Sequence, residues 1–332
     1  MGLDNSACGQ LPSPCKNLNV AVDRTANHGT IKIIGNYYLK LSIQLYKSMK
    51  FEGVGDSSIL ALNNKVSIFL FEIPSVSLNF TFVSLRLEGI GLFYARGEST
   101  HSMNVVVLNC SFEGRQNGAL LDSVSEKGPI SFYINNSTFT NMKSIFNVWN
   151  PTPVLTIKHC SFVNITKRSQ FHKKDFLNLK KLFILNSTFL NVELFSVKLR
   201  GKTQPSVISG CHFSNVNLDI YHWDTSDIGV IMNITYNVFV SSHVWLGAKI
   251  EDNRKEYTLS LSHCVFTSDR NTEYLLRVEP RYSNGILKAV YMIDIECKNS
   301  LTTKGCLIIS EVKNVLIRSS VFKSNIGSGL LV

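Results

Sequence analysis

From about residue 105 onward, apolar and polar positions alternate in short runs that keep returning to one motif. Ile157-Lys158-His159-Cys160-Ser161-Phe162 displays it: an aliphatic residue, two variable ones, then Cys, Ser or Asn, one more variable residue, and Phe. Residues 107–112, 134–139, 184–189, 208–213, 234–239, 261–266 and 317–322 are further copies. The residue two before the aliphatic one is usually apolar too, as at Val105, Phe132, Leu155, Leu182, Met232, Leu259 and Val315. That spacing of two is a strand with one face turned inward. The Phe starts or faces a second inward strand, and a third apolar cluster follows at Ile145-Phe146, Leu194-Phe195, Leu218 and Val244.

The phased Phe residues stand at 112, 139, 162, 189, 213, 239 and 266, so the period is 27, 23, 27, 24, 26 and 27 residues. A period of this size with no helical periodicity marks a solenoid. Leucine-rich repeats share the period but want Leu at their apolar positions, whereas Ile, Val and Phe here favour strands throughout. Three short strands per coil of about 25 residues predict an all-β chain: a single-stranded, right-handed parallel β-helix.

Upstream, Pro14 followed by Leu18, Ala21 and Val22 predicts a short amphipathic capping helix, broken at Asn27-His28-Gly29. Thr30 to Ile34 with Gly35 reads as a strand and turn, and a helix here would cover an otherwise open strand edge. Between 37 and 104 the β runs 37–41, 58–62, 66–71, 76–82 and 85–87 do not phase with the later repeat. No linker or charge run divides them from it. The expected organisation is an N-terminal cap over 1–36 and a β-helix over 37–332. The chain stops just after a repeat with no visible cap, so continuation into a longer protein is expected.

Two columns follow from the phasing. Asn141, Asn164, Asn191 and Asn215 each stand two residues after Phe. Asn tolerates the left-handed backbone of a sharp turn, and amides stacked ~4.8 Å apart can bond up the column. Cys110, Cys160, Cys211 and Cys264 share one position on alternate coils, with Ser137, Ser187 and Asn237 between them. Two coils separate equivalent Cα atoms by ~9.5 Å, beyond the roughly 7 Å a disulfide spans. These four are expected to be unpaired and inward-facing. Cys8 with Cys15, and Cys297 with Cys306, lie close enough to close small loops. A Cys8–Cys15 bond is expected in a secreted chain, and the pairing of Cys297 and Cys306 stays open.

The Cys8-Gly9…Pro14-Cys15 opening and the coils over 105–325 resemble the pectin-lyase-like right-handed β-helix superfamily. Within it, they look most like uncharacterised extracellular eukaryotic β-helix proteins that open with Cys-Gly…Pro-Cys and carry Asn-Cys-Ser-Phe coils. The resemblance implies the fold; the scaffold hosts lyases, hydrolases, epimerases, adhesins and spacers alike. Polygalacturonase-like members carry Asn-Thr-Asp, Asp-Asp and Gly-His-Gly on successive coils. Asp224-Thr225-Ser226-Asp227, Glu251-Asp252 and His263 follow that order here. They depart in detail, because the first lacks Asn-Thr-Asp-Gly, the second opens a solvated charged run, and His263 has no flanking glycines. Asp224, Asp227, Glu251, Asp252 and His263 are therefore the catalytic candidates on sequence, set against ordinary solvated loop carboxylates.

Composition narrows the partners. Apolar residues make up 44% of 332 and charged ones 17%, enough for a core and unlike disorder. The net charge of +10 and pI near 9.2 favour polyanions. Lys167, Arg168, Lys173, Lys174, Lys180 and Lys181 follow one Phe, and Lys198, Arg200 and Lys202 the next, so adjacent coils can gather one positive patch. Asn79, Asn109, Asn136, Asn164, Asn186 and Asn233 head Asn-x-Ser/Thr triplets, acceptors for N-glycans in a secreted chain. Residues 1–6 show no signal segment, and no apolar run reaches 18 residues. No cofactor, metal or nucleic-acid motif is present. These readings combine into a secreted or cell-surface, non-enzymatic module for recognition or scaffolding. Its expected partner is acidic polysaccharide or extracellular matrix, and the alternative is a polysaccharide hydrolase or lyase.

Overall fold

Parallel strands, each paired with its counterpart one coil away, make up nearly all the regular backbone. The computed structural model describes residues 8–9, 13–61, 67–72, 77–96, 101–115, 119–123, 129–148, 152–166, 177–199, 206–223, 230–249, 257–279, 287–323 and 330–331. They fall into two compact units, Met1–Pro151 and Thr152–Val332.

In the first unit, Asn17 caps the helix Leu18–Arg24 by accepting the Asn19 N–H, and Leu18 and Val22 are its buried residues. The start therefore falls at Asn17 rather than at Pro14. The first strands of successive coils are Gly29–Leu39, Met49–Ala61, Leu78–Val83, Met103–Leu108 and Ile130–Asn135. Ile31, Phe51, Phe82, Val107 and Ile134 stand in one register column and are buried. A second column runs Tyr37, Ile59, Leu87, Phe112 and Phe139. Ile43–Leu45, Phe69–Glu72, Phe93–Arg96, Ala119–Ser123 and Ser144–Val148 form the third, five-stranded parallel sheet. The stretch 37–104 thus has the same three-strand coil. Ile59 and Leu87 replace the marker Phe there, which hid the phase.

In the second unit, the first strands are Thr152–Lys158, Leu177–Leu185, Ser206–Ser209, Val230–Thr235, Tyr257–Ser262, Leu287–Ile293 and Val312–Arg318. The second and third strands run on without a break in Thr188–Leu199, His212–Trp223, Val265–Val278 and Glu296–Ile309. Phe162, Phe189, Phe213, Phe239 and Phe266 stack with centroids 4.9, 5.0, 5.0 and 4.7 Å apart and planes within 12°. Cys297 takes the next place in this column, then Phe322. Cys297 is bonded to Cys306, and both are buried. Cys8 is bonded to Cys15 at the other end of the chain. One inward expectation fails: Leu194 is 39% exposed and Phe195 alone is buried. A register shift between Val192 and Phe195, just after left-handed Asn191, resets the inward phase there.

Sharp bends account for the polar ladders. Asn141, Asn164, Asn191 and Asn215 all have φ between 54° and 56°, as their spacing predicts. Asn191 Nδ2 donates to Asn164 Oδ1 at 3.1 Å, and Asn215 Nδ2 to Asn191 Oδ1 at 2.9 Å. Left-handed residues also stand between the first and second strands, at Asn109 and Asn136 in the first unit and at His159, Asn186, Gly210, Tyr236, His263 and Asp294 in the second. Their residue types vary, so the sequence did not reveal them.

Immediately after this bend stand the alternating Cys and Ser residues. Ser137 Oγ accepts the Cys110 N–H at 3.1 Å, and Ser187 Oγ accepts that of Cys160 at 3.1 Å. Each hydroxyl also donates to the carbonyl two residues back. The thiols point at the matching carbonyls, Cys110 at Leu108 and Cys211 at Ser209, as weak donors. Cys110, Cys160, Cys211 and Cys264 are buried and unpaired. Burial pushes the thiols of Cys110, Cys211 and Cys264 from 9.0 to about 11. In the unfolded chain they lose protons first, so stability is full below pH 9.0 and falls as pH rises towards 11. The native protein at pH 8 should resist alkylation until denatured, when four thiols react. Rapid native labelling would contradict this inward placement.

Candidate functional site

Three coils of the second unit repeat one local pattern, an outward residue held between two buried apolar ones. Asp219 lies between Leu218 and Ile220, Trp245 between Val244 and Leu246, and Arg277 between Leu276 and Val278. The flanking pairs face the core, so alternation turns the middle residue outward. Parallel register sets Asp219 beside Trp245 and Trp245 beside Arg277. Ser196 precedes Asp219 in the same column and donates to Asp219 Oδ2 at 3.3 Å.

Neighbouring outward side chains complete a cluster. The Arg277 guanidinium lies 5.7 Å from the Trp245 ring centre and 5.6 Å from that of Tyr274. It pairs with Glu279 at 2.7 Å, and Ser310 donates to the same Glu279 oxygen at 3.3 Å. His243 and Tyr274 rings tilt together at 5.4 Å. Lys304 forms an ion pair with Glu273.

Titration follows from these contacts. The Lys304 ammonium, hydrogen-bonded to Glu273, holds that carboxyl below its usual range. Burial pushes the Tyr274 phenol up, and burial pushes the His243 imidazole down against the pull of Glu273. Burial opposes the Arg277 charge, yet its hydrogen bond and charge attraction to Glu279, with smaller pulls from Tyr274 and Glu273, together outweigh burial and raise its pKa. The cluster thus presents a guanidinium close to two aromatic rings, with the Glu273 and Glu279 carboxylates each held by a cation.

The sequence candidates stand apart from this cluster or outside the described residues. Asp224, Asp227, Glu251 and Asp252 lie outside them, as do Lys167, Arg168, Lys173, Lys174, Arg200 and Lys202. In sequence, Asp224 follows directly on the strand carrying Asp219, and Glu251 comes two residues after the strand carrying Trp245. His263 is an exposed bend residue. Its ring stacks on Tyr236 at 4.6 Å and 11°, and its Nδ1 lies 3.2 Å from Asp294 Oδ2. Lys180 is exposed, and the Lys181 ammonium sits 4.6 Å above the Phe183 ring. The Lys198 backbone pairs with Asn178, two residues before Lys180. Of the glycan acceptors, Asn79, Asn109, Asn136 and Asn186 are exposed, while Asn164 and Asn233 are half-buried. The Asp219–Trp245–Arg277 column was missed because only its apolar flanks were used for phasing. An Asp, Trp and Arg at one coil position was the available signal. Among the described residues, no three metal-ligating side chains gather, and no helix is long and apolar enough to cross a membrane.

This architecture is a right-handed parallel β-helix, and solved structures share the fold. The chain is similar to PfbA, a surface adhesin of Streptococcus pneumoniae, at 12% identity and a TM-score of 0.58, covering 93% of this chain and 86% of that one. It is also similar to the catalytic domain of a GH87 α-1,3-glucanase solved with nigerose, at 11% identity and a TM-score of 0.53, covering 95% and 68%. At such identities the likeness is one of fold. No protein-family model and no curated protein sequence matches the chain.

Proposed function

We propose that the protein is an extracellular, non-enzymatic recognition module that holds acidic polysaccharide against the outward face of its second unit. The observation that carries this reading is the Arg277 guanidinium set between the Trp245 and Tyr274 rings. An aromatic face takes the apolar C–H side of a sugar ring, while the guanidinium N–H groups that Glu279 does not occupy take its carboxylate or sulfate. The net charge of +10 draws such a polymer in.

The state of the carboxylates supports binding over cleavage. Hydrolysis wants an acid and a second carboxylate about 5 to 9.5 Å apart across the scissile bond, with the acid's pKa raised. Glu279 is tied to Arg277 and Glu273 to Lys304, and Glu273 is shifted down rather than up. The bonded pairs Cys8–Cys15 and Cys297–Cys306 fit an oxidising, extracellular setting. The adhesin and the glucanase share the fold, so they support either activity equally. A polysaccharide hydrolase or lyase is the second reading. It is favoured by Asp219, only 9% exposed, on the strand His212–Trp223 that Asp224 and Asp227 follow in sequence.

The test measures binding and cleavage of polyuronate and heparin in one sample. Arg277→Ala should weaken binding about tenfold, the loss of one charge-assisted contact. Lys180→Glu with Lys181→Glu should lower the salt needed for elution. Retention that ignores both changes would remove this face from consideration.

A further inference from the structure

The first unit carries a groove of about 580 Å³ that runs over the first bends of five successive coils. Its origin lies in the backbone. Ile34 pairs with Val54 and Asn36 with Ser58, so two steps in the first coil face four in the second. The surplus residues stand out as a lip. Gly55, at φ 65°, makes the reversal, and a Cβ there would meet nothing within 4 Å. Ser57 Oγ pins the base of the lip, its one hydroxyl proton within reach of Ile33 O at 2.7 Å and Val54 O at 2.6 Å. Gly53 lets the next coil close in, since a Cβ there would lie 2.1 Å from Ser84 O.

Beside this lip the later coils offer small polar residues and one cation, with the buried Leu85 and Cys110 also in the lining. Ser84, Asn109 and Asn136 occupy the left-handed bend position of three consecutive coils. Arg86 stands in register with Ser58 and Ser111. Asp56 on the lip and Arg86 on the floor are exposed, and neither has an ion-pair or hydrogen-bond partner among the described residues. Asn136 Nδ2 donates to Asn109 Oδ1 at 2.8 Å. That bond uses one amide atom of each residue, and both residues line the groove.

We infer that this groove is a second carbohydrate site, for a neutral, hydroxyl-rich oligosaccharide lying along the coil axis. One carboxylate and one guanidinium cancel, so the groove selects no net charge. Planar carboxylate, carboxamide and guanidinium groups present paired acceptors or donors, the match for adjacent sugar hydroxyls. Five coils at ~4.8 Å offer these groups over ~19 Å, which suits a polymer with a short repeat. The volume falls within the roughly 300 to 1,000 Å³ of small-molecule sites. A glycan on Asn109 or Asn136 would fill the same space, so both acceptors stay bare in the working protein. The inference takes its ligand class from the recognition reading and places a different site, on the other unit.

Titration calorimetry of the full chain with neutral β-1,3- and β-1,4-glucan oligosaccharides, about four to six units long to match ~19 Å, tests it. Saturable binding of at least one probe is expected, weakened about tenfold by Arg86→Ala or Asp56→Ala. Both side chains are exposed, so neither change should disturb folding. Arg277→Ala should leave neutral binding unchanged, and Arg86→Ala should leave acidic-polysaccharide retention unchanged. This separates failure of the groove from failure of the first site. No saturation with any neutral probe, binding indifferent to Asp56 and Arg86, or a glycan mapped to Asn109 or Asn136 would each overturn the inference.

Discussion

Phe213→Ala is expected to lower unfolding stability by about 3 to 5 kcal/mol, the range for truncating a fully buried Phe. Phe213 is wholly buried and lies between Phe189 and Phe239, its ring 5.0 Å from each with planes within 12°. Removing it loses the burial of one ring and two stacking contacts, and opens a gap in a column whose neighbours are fixed by strand register. In a solenoid each coil draws its stability from the coils beside it, so a gap in mid-stack weakens two interfaces. The same change at Phe322 should cost less than half as much, because that ring is only half-buried. Urea unfolding of the three proteins gives the comparison directly. Equal losses at both positions would show that the stack does not carry the core.

Asn237→Ala is the second large expectation. Asn237 is fully buried, and its amide closes two backbone groups at once. Oδ1 accepts the Cys211 N–H at 2.9 Å, and Nδ2 donates to Ile208 O at 2.9 Å. Alanine leaves a buried donor and a buried acceptor without partners, at about 1 to 3 kcal/mol for each. Asn237→Ser should recover much of this, since Ser137 and Ser187 meet the same kind of N–H from the equivalent position. Thermal unfolding that ranks serine no better than alanine would contradict the hydrogen-bond account and leave only lost packing.

These two residues mark how far the sequence could be read. Phe213 announced itself through period and type, because a large apolar residue repeated every coil has one physical reading, a stacked core. Asn237 was recognised as sharing the cysteine position, but its hydrogen bonds were not foreseen. That role depends on the bend before it, where strand pairing leaves the Cys211 N–H to a side-chain acceptor. The bend column itself escaped notice because Gly, Asn, His, Tyr and Asp all serve there, and only backbone geometry unites them. The groove escaped for a related reason. It arises from a difference in residue count between paired strands, which is invisible until register is known. The outward column of Asp219, Trp245 and Arg277 was legible in principle, as three unlike residues each set between two core positions. The acidic candidates Asp224, Asp227, Glu251 and Asp252 lie outside the described residues.

The outward face of the second unit is proposed to bind acidic polysaccharide without cutting it. The most direct test incubates the purified chain with polyuronate and follows bound polymer and newly formed chain ends in the same sample. Saturable binding is expected, weakened by Arg277→Ala, with polymer length unchanged over the whole incubation. Chain ends that accumulate in proportion to protein, and vanish in Asp219→Asn, would contradict it and make the chain an enzyme.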